Sequence, residues 1–264
     1  MTSQPSRRSH WFEYCLPLHN HSLQLFCFPY AGGNAQVFRG WQRRFPAEIN
    51  LCLVHLPGRG MRMREEPFRQ LQPLVEAIAN AIVNEARHPF AFYGHSMGGL
   101  LAFELARELR KRQAPEPLQL FLSGRNPPQT SSPERKSFNL PEEKLIERLR
   151  ELNGTPQELF DNPELRQMFL PVLRADFEIV DTYEYVPDQP LCCPFTIYGG
   201  IEDTQVPQEN LHAWEKETSA TCTVRKFPGD HFFIHRSDSG FITALRHDLL
   251  GALSAQPRRP MASR

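Results

Sequence analysis

Phe90 to Gly99 read FAFYGHSMGG. An apolar run, Pro89 to Tyr93, has the character of a buried strand. It meets Gly94-His95-Ser96-Met97-Gly98, a GxSxG pattern, and a helical pattern then runs from Met97 to Arg112. A chain that turns from strand to helix within one residue strains that residue and pushes its side chain out over the sheet edge. Small residues two before and two after it let the neighbouring backbones pass closely. Ser96 is the residue so displayed. The helix behind it aims its first N–H groups at the same point, which favours negative charge there. The pattern alone is only suggestive; the strand before it, the helix after it and the doubled glycine make it specific.

Working outward, short β-rich runs alternate with helical ones. Strands are expected at Leu23 to Phe28, Leu51 to His55, Pro89 to Tyr93, Leu118 to Ser123, Pro194 to Tyr198 and Cys222 to Phe227. Several are almost continuously apolar, as strands buried on both faces are. Helices are expected over about Gln70 to Arg87, Met97 to Arg112, Gln208 to Glu217 and Ser239 to Leu253. This rhythm implies an α/β fold: a mostly parallel sheet with helices on both faces, joined by right-handed crossovers. One segment breaks it. From Asn126 to Pro190 there is a Pro/Ser-rich linker (Pro127, Pro128, Ser131, Ser132, Pro133) and then amphipathic helices, about Pro141 to Leu152 and Pro163 to Tyr185. That is too long for a simple connection. It reads as a helical lid, about 127–190, inserted before the last strands, with motion that gates entry. The domain is expected to span 20–254, with tails at 1–19 and 255–264.

Composition excludes several classes. The chain has 264 residues and a formal net charge of zero, so nothing global points to nucleic acid or an anionic membrane. The basic ends (Ser6, Arg7, Arg8; Arg258, Arg259, Arg264) read as solvated tails. No apolar run approaches the ~20 residues that span a bilayer, and no apolar stretch follows the first arginines as in a secretory signal. A cytoplasmic protein is expected, with a monomer as the default. Six cysteines, among them Cys27, Cys52, Cys192, Cys193 and Cys222, show no metal-binding spacing and read as reduced thiols. No cofactor or metal is expected.

Ser96 alone is a poor nucleophile and needs a base. In this topology the histidine follows the last strand, and His231 does so through the turn Pro228-Gly229-Asp230. His95 reads as packing, and His212 and His235 as surface residues. The acid that orients the base belongs between them in the chain. Asp203, in the turn after Pro194 to Tyr198, fits best; Asp176 in the helical segment is the main competitor, and the neighbouring Glu202 is expected to point elsewhere. Two backbone N–H groups are needed for an oxyanion. Met97 supplies one, and Ala31 in Phe28-Pro29-Tyr30-Ala31-Gly32-Gly33 the other. A phosphate-binding reading of that loop lacks the Lys-Ser/Thr that it requires.

Five segments together resemble the type II thioesterases, the free-standing editing enzymes that accompany nonribosomal peptide and polyketide synthases. They are Phe28 to Gly33, Leu56-Pro57-Gly58-Arg59, Tyr93 to Gly99, Leu173-Arg174-Ala175-Asp176 and Pro228 to Phe233. The resemblance covers about residues 22–253. Asp230 stands where that family often has Gly, and Gly60 where it often has a carboxylate. The resemblance implies an α/β-hydrolase fold, a triad of Ser96, Asp203 and His231, and an oxyanion hole of Ala31 and Met97. It also implies removal of acyl or aminoacyl groups from the phosphopantetheine arm of carrier proteins. Phe160, Phe169 and Phe177 are candidates for an acyl pocket. Arg59, Arg62 and Arg64, with Arg39, are candidates to meet an acidic carrier protein. A small-molecule carboxylesterase or lipase, a catalytically silent binding protein and an acyltransferase remain open alternatives.

Overall fold

The computed structural model describes residues 10–17, 21–86, 89–130, 137–154 and 157–255. The arginines at both ends, and Ser131, Ser132 and Pro133 of the linker, lie outside the described residues.

Within the described residues one sheet has seven strands: β1 (Phe12–Tyr14), β2 (Leu23–Phe28), β3 (Ile49–Val54), β4 (Phe90–His95), β5 (Leu120–Ser123), β6 (Phe195–Gly200) and β7 (Cys222–Phe227). Their spatial order is β1-β3-β2-β4-β5-β6-β7. All neighbours pair parallel except β1, which runs antiparallel to β3 with Phe12 opposite Val54. Strands β2 to β6 are buried along their whole length, as their continuous apolar sequences require. Alternate side chains feed two cores. Phe26, Phe28, Phe92 and Leu122 pack under α1 (Leu71–Glu85) and α2 (Met97–Lys111). Leu25, Cys27, Tyr93 and Phe121 pack under a 3-10 helix (Ala35–Arg44) and α6 (Phe241–Ser254).

The N-terminal segment and the helix Pro163–Asp181 differ from the sequence reading, and the 3-10 helix Ala35–Arg44 and the short helix Gln157–Asp161 add to it. Residues 1–19 were expected to be a tail, yet Phe12–Tyr14 is the edge strand β1. Phe12 is buried edge-on against Phe26 at 4.9 Å, and Leu16 exchanges backbone hydrogen bonds with the Asn50 side chain. Three residues carry too little periodicity to announce a strand. The helix expected over Pro163 to Tyr185 ends at Asp181, because Tyr183 turns away to donate its hydroxyl to Glu104 at 2.6 Å.

The chain leaves β2 for β3 on one side and leaves β4 for β5 on the other, so the order of winding reverses between β2 and β4. In open sheets of this kind, ligands settle in the crevice at the carboxyl ends of such a strand pair. The loop holding Ala31 and the turn holding Ser96 both open there. Between β5 and β6 stand α3 (Glu142–Leu152), α4 (Gln157–Asp161) and α5 (Pro163–Asp181). They share a small core of their own, with Leu145, Leu149, Phe160 and Leu173, and Ala31 and Phe177 pack at its border. Asn162 caps α5 by accepting the N–H of Glu164 at 2.9 Å, and Pro163 opens the helix where no N–H is needed. Among the described residues no helix is long and apolar enough to cross a membrane. All six cysteines are free thiols.

Candidate active site

Ser96 sits between β4 and α2 with φ 54° and ψ −114°, the strain that its sequence context implies. Its N–H donates to the Ser123 carbonyl at 2.8 Å. Gly94 and Gly98 flank it because nothing larger fits: a Cβ on Gly94 would overlap the backbone of Gly98, and one on Gly98 would overlap the carbonyl of Phe28. The turn is thereby wedged against β2.

His231 follows β7 and Asp203 follows β6, and both are buried. His231 Nδ1 lies 2.8 Å from Asp203 Oδ2. The other oxygen of Asp203 accepts the N–H groups of Gln205 at 2.8 Å and Val206 at 3.2 Å, so the carboxylate is held from both ends. Ser96 and His231 line the same cavities. Glu202 is exposed. Asp176 does not reach His231: Arg59 holds it with two nitrogens, Nη2 at 2.7 Å from Oδ1, and its Oδ2 accepts the Gly32 N–H at 2.7 Å.

His95 is packed, as expected, and its ring lies beside that of His231. The two ring centroids are 5.1 Å apart, and His95 Nδ1 lies 2.7 Å from Ser123 Oγ. Burial, followed by the neighbouring imidazoles of His231 and His235, holds the His95 pKa well below the usual histidine range. The ring is therefore neutral. Ser123, which orients it, carries no signal in the sequence beyond ending a strand. His235 is exposed and reaches Tyr30 Oη at 3.1 Å, and His212 is exposed beside Glu215.

Ala31 lines the cavities that hold Ser96, in the loop that the Asp176–Gly32 hydrogen bond pins. Met97 is the first residue of α2, so its N–H has no acceptor within the helix. Of the three candidate phenylalanines, Phe177 lines the Ser96 cavities. Phe160 is buried in the core of the inserted helices, and Phe169 packs against Gly32.

The arginine cluster is corrected by the structure. Arg59 is 9% exposed and belongs to the Asp176 pair, so it offers no surface to a partner. Arg62 is also 9% exposed; it stacks on Trp11 at 4.0 Å and donates to Glu65 and to the His55 carbonyl. Arg39 pairs with Glu13 at 3.0 Å. Arg64 alone of the turn's arginines faces solvent.

The space beside Ser96 has two branches. One, of about 140 Å³, includes Arg125, Arg148 and Asp181 beside Phe177 and Val180; the other, of about 50 Å³, includes Leu149, Leu173 and Phe232. A wider cleft of about 820 Å³, between α1, α2 and residues 182–188, touches neither Ser96 nor His231. No cluster of metal-ligating side chains occurs among the described residues.

Comparison with known proteins bears on this geometry. The thioesterase domain family model matches residues 23–249. The gramicidin S biosynthesis protein GrsT of Aneurinibacillus migulanus is 45% identical over 81% of this chain and 84% of its own. The solved thioesterase RedJ, from the prodiginine pathway of Streptomyces coelicolor, superposes with a TM-score of 0.82 at 38% identity, over 86% of this chain and 91% of its own. YbtT, a type II thioesterase of the yersiniabactin pathway, gives 0.81 at 31% identity, over 92% and 99%. A match across most of the chain, carried on the same α/β-hydrolase architecture, settles the assignment: the chain belongs to the thioesterase family and is a hydrolase acting on thioesters.

Proposed function

We propose that the chain is a type II thioesterase of nonribosomal peptide or polyketide synthesis. It clears acyl or aminoacyl groups from the phosphopantetheine arm of carrier proteins. The similar proteins named for such pathways support the setting. The observation that carries the chemistry is the His231 Nδ1 to Asp203 Oδ2 contact of 2.8 Å beside a cavity shared with Ser96.

In this reading His231 takes the proton of Ser96 through Nε2, and Ser96 Oγ attacks the thioester carbonyl. Negative charge on the carbonyl oxygen meets the N–H groups of Ala31 and Met97. The tetrahedral adduct collapses, the thiolate leaves and takes the proton from His231, and an acyl-enzyme remains. Water, activated by the same imidazole, then releases the acid. Asp203 holds the tautomer that leaves Nε2 free to accept and stabilises the imidazolium. A thiolate leaves readily, so proton transfer and backbone dipoles suffice.

Intact-mass analysis of a panel of acyl-loaded carrier proteins tests this. The enzyme is expected to return several of them to the free-thiol carrier mass, and Ser96→Ala is expected to return none. Turnover of small oxoesters with every loaded carrier left intact would replace the proposal with the esterase reading. Equal rates for Ser96→Ala and the wild type would remove Ser96 from the chemistry.

A further inference from the structure

The larger branch beside Ser96 contains a cation that the protein itself does not use. Arg125 follows Gly124 at the carboxyl end of β5. The Gly124 backbone lies against the catalytic histidine, since a Cβ placed there would stand 3.3 Å from His231 Cε1. The Arg125 backbone is fixed by the Trp214 indole, which donates to its carbonyl at 3.0 Å. Its Cβ and Cγ pack on Gly99 in the first turn of α2, and the residue lines the cavity that holds Ser96. Nε is buried without a partner, and the guanidinium makes no hydrogen bond or ion pair with the described residues.

The charges nearby are already engaged. Asp181 Oδ2 accepts the N–H groups of Ser137 at 2.6 Å and Phe138 at 3.3 Å. Arg148 pairs with Glu151 at 3.0 Å. Burial works against the charge on Arg125, and Asp181 is close enough to favour it yet does not bond it. Buried donors left unmet are rare in folded proteins and costly. A planar guanidinium that lines a reactive cavity is suited to a carboxylate or carbonyl oxygen.

We propose that Arg125 is a specificity determinant: it selects acyl groups that carry an oxygen acceptor, carboxylate or carbonyl, a few bonds beyond the thioester. This rests on the thioesterase reading of Ser96. The cavity of about 140 Å³ is small beside an extended phosphopantetheine arm and suits a short acyl group. Unbranched alkyl acyl groups leave Arg125 unmet. A site built to bond a polar group discriminates strongly against a substrate that lacks it.

The test compares succinyl and butyryl thioesters of N-acetylcysteamine on the wild type, Arg125→Gln and Arg125→Lys. The wild type is expected to favour succinyl by kcat/KM. The succinyl-to-butyryl ratio is expected to fall by about 10- to 100-fold in Arg125→Gln, as for loss of a charged hydrogen bond, and by less in Arg125→Lys. A wild type without the preference, or an Arg125→Gln ratio within about twofold of wild type, overturns the proposal; the ratio is read within one variant, so reduced stability does not imitate the effect. If neither small thioester turns over, the same pair is loaded on a carrier protein and the same ratio is read by mass. Failure with every thioester instead overturns the proposed function.

Discussion

Asp176 on α5 and Arg59 in the turn after β3 form a buried two-point ion pair, 117 residues apart in sequence, and Asp176 also accepts the N–H of Gly32. One carboxylate therefore ties the inserted helices to the loop that carries Ala31. The side chains of both partners are less than a tenth exposed. Removing one partner leaves the other charged and unpaired in a desolvated place.

Asp176→Asn is accordingly expected to lower stability by about 3 kcal/mol, the range for breaking a buried pair from one side. It is also expected to lower kcat, because Gly32 loses a charged acceptor and Ala31 its support. Urea unfolding and steady-state kinetics on a small thioester check the two effects. A variant with wild-type midpoint and turnover would show the pair to be dispensable.

Asp203→Asn is expected to reduce kcat by about ten-thousandfold, the size of effect when a triad imidazole loses the acid that sets its tautomer. Substrate binding, read with a Ser96→Ala background and a carrier-bound acyl group, is expected to change little. A loss of less than about tenfold would mean that another group orients His231.

The stability of the fold is expected to drop as the solution becomes acid, with His95 as one named cause. Its folded-state pKa is depressed by burial, so below about pH 6.5 the unfolded chain takes up a proton that the folded chain refuses. The contribution is whole above that pH and declines by about 1.4 kcal/mol per unit as pH falls further. His95→Asn keeps a partner for Ser123 and is expected to flatten this slope between pH 6.5 and 5.5, measured from urea midpoints. Identical slopes in both proteins would count against the assignment.

Two glycines separate steric need from mere presence. Gly98→Ala is expected to prevent folding or to lower Tm by more than about 10 °C, because its Cβ meets the Phe28 carbonyl. Gly251→Ala, within α6 and with nothing near its Cβ, is expected to add about 0.5–1 kcal/mol. Thermal melts of the two variants decide the matter.

At the surface, Arg64→Glu is expected to raise KM for carrier-bound acyl groups more than for the matched N-acetylcysteamine thioester. Arg62→Ala is expected to lower the melting temperature instead, since its guanidinium covers Trp11 and bonds Glu65. Equal KM effects of Arg64→Glu on both substrates would remove this face from carrier recognition.

The strands and the turn around Ser96 were legible because they are local. LQLFCF, PFAFY and CTVRKF each declare a strand in five or six residues, and the turn around Ser96 is specified within five. His231 and Asp203 followed from topology, each being placed after an identifiable strand. What stayed hidden depends on contacts across the chain. Arg59 and Arg62 look like exposed charge in sequence, and only Asp176 and Trp11, distant in the chain, show them buried. β1 is too short to have a period, and its burial comes from Phe26 and Asn50. The 3-10 helix Ala35–Arg44 did have a signal, Phe38 and Trp41 three residues apart on one face. Arg125 gave none, since an unmet donor is visible only when all its neighbours are known.

The groups at the site rise from separate strand ends: Ala31 after β2, Ser96 after β4, Arg125 after β5, Asp203 after β6 and His231 after β7. The inserted helices and Arg125 all lie between the last residue of β5 and the first of β6. In the proposed reading, bond-breaking and substrate choice are encoded in different stretches of chain. Redirecting what such an enzyme accepts then calls for changes at Arg125 and the side chains beside it, not for a wholesale exchange of residues 124–190, because Asp176 within that stretch also braces the loop of Ala31.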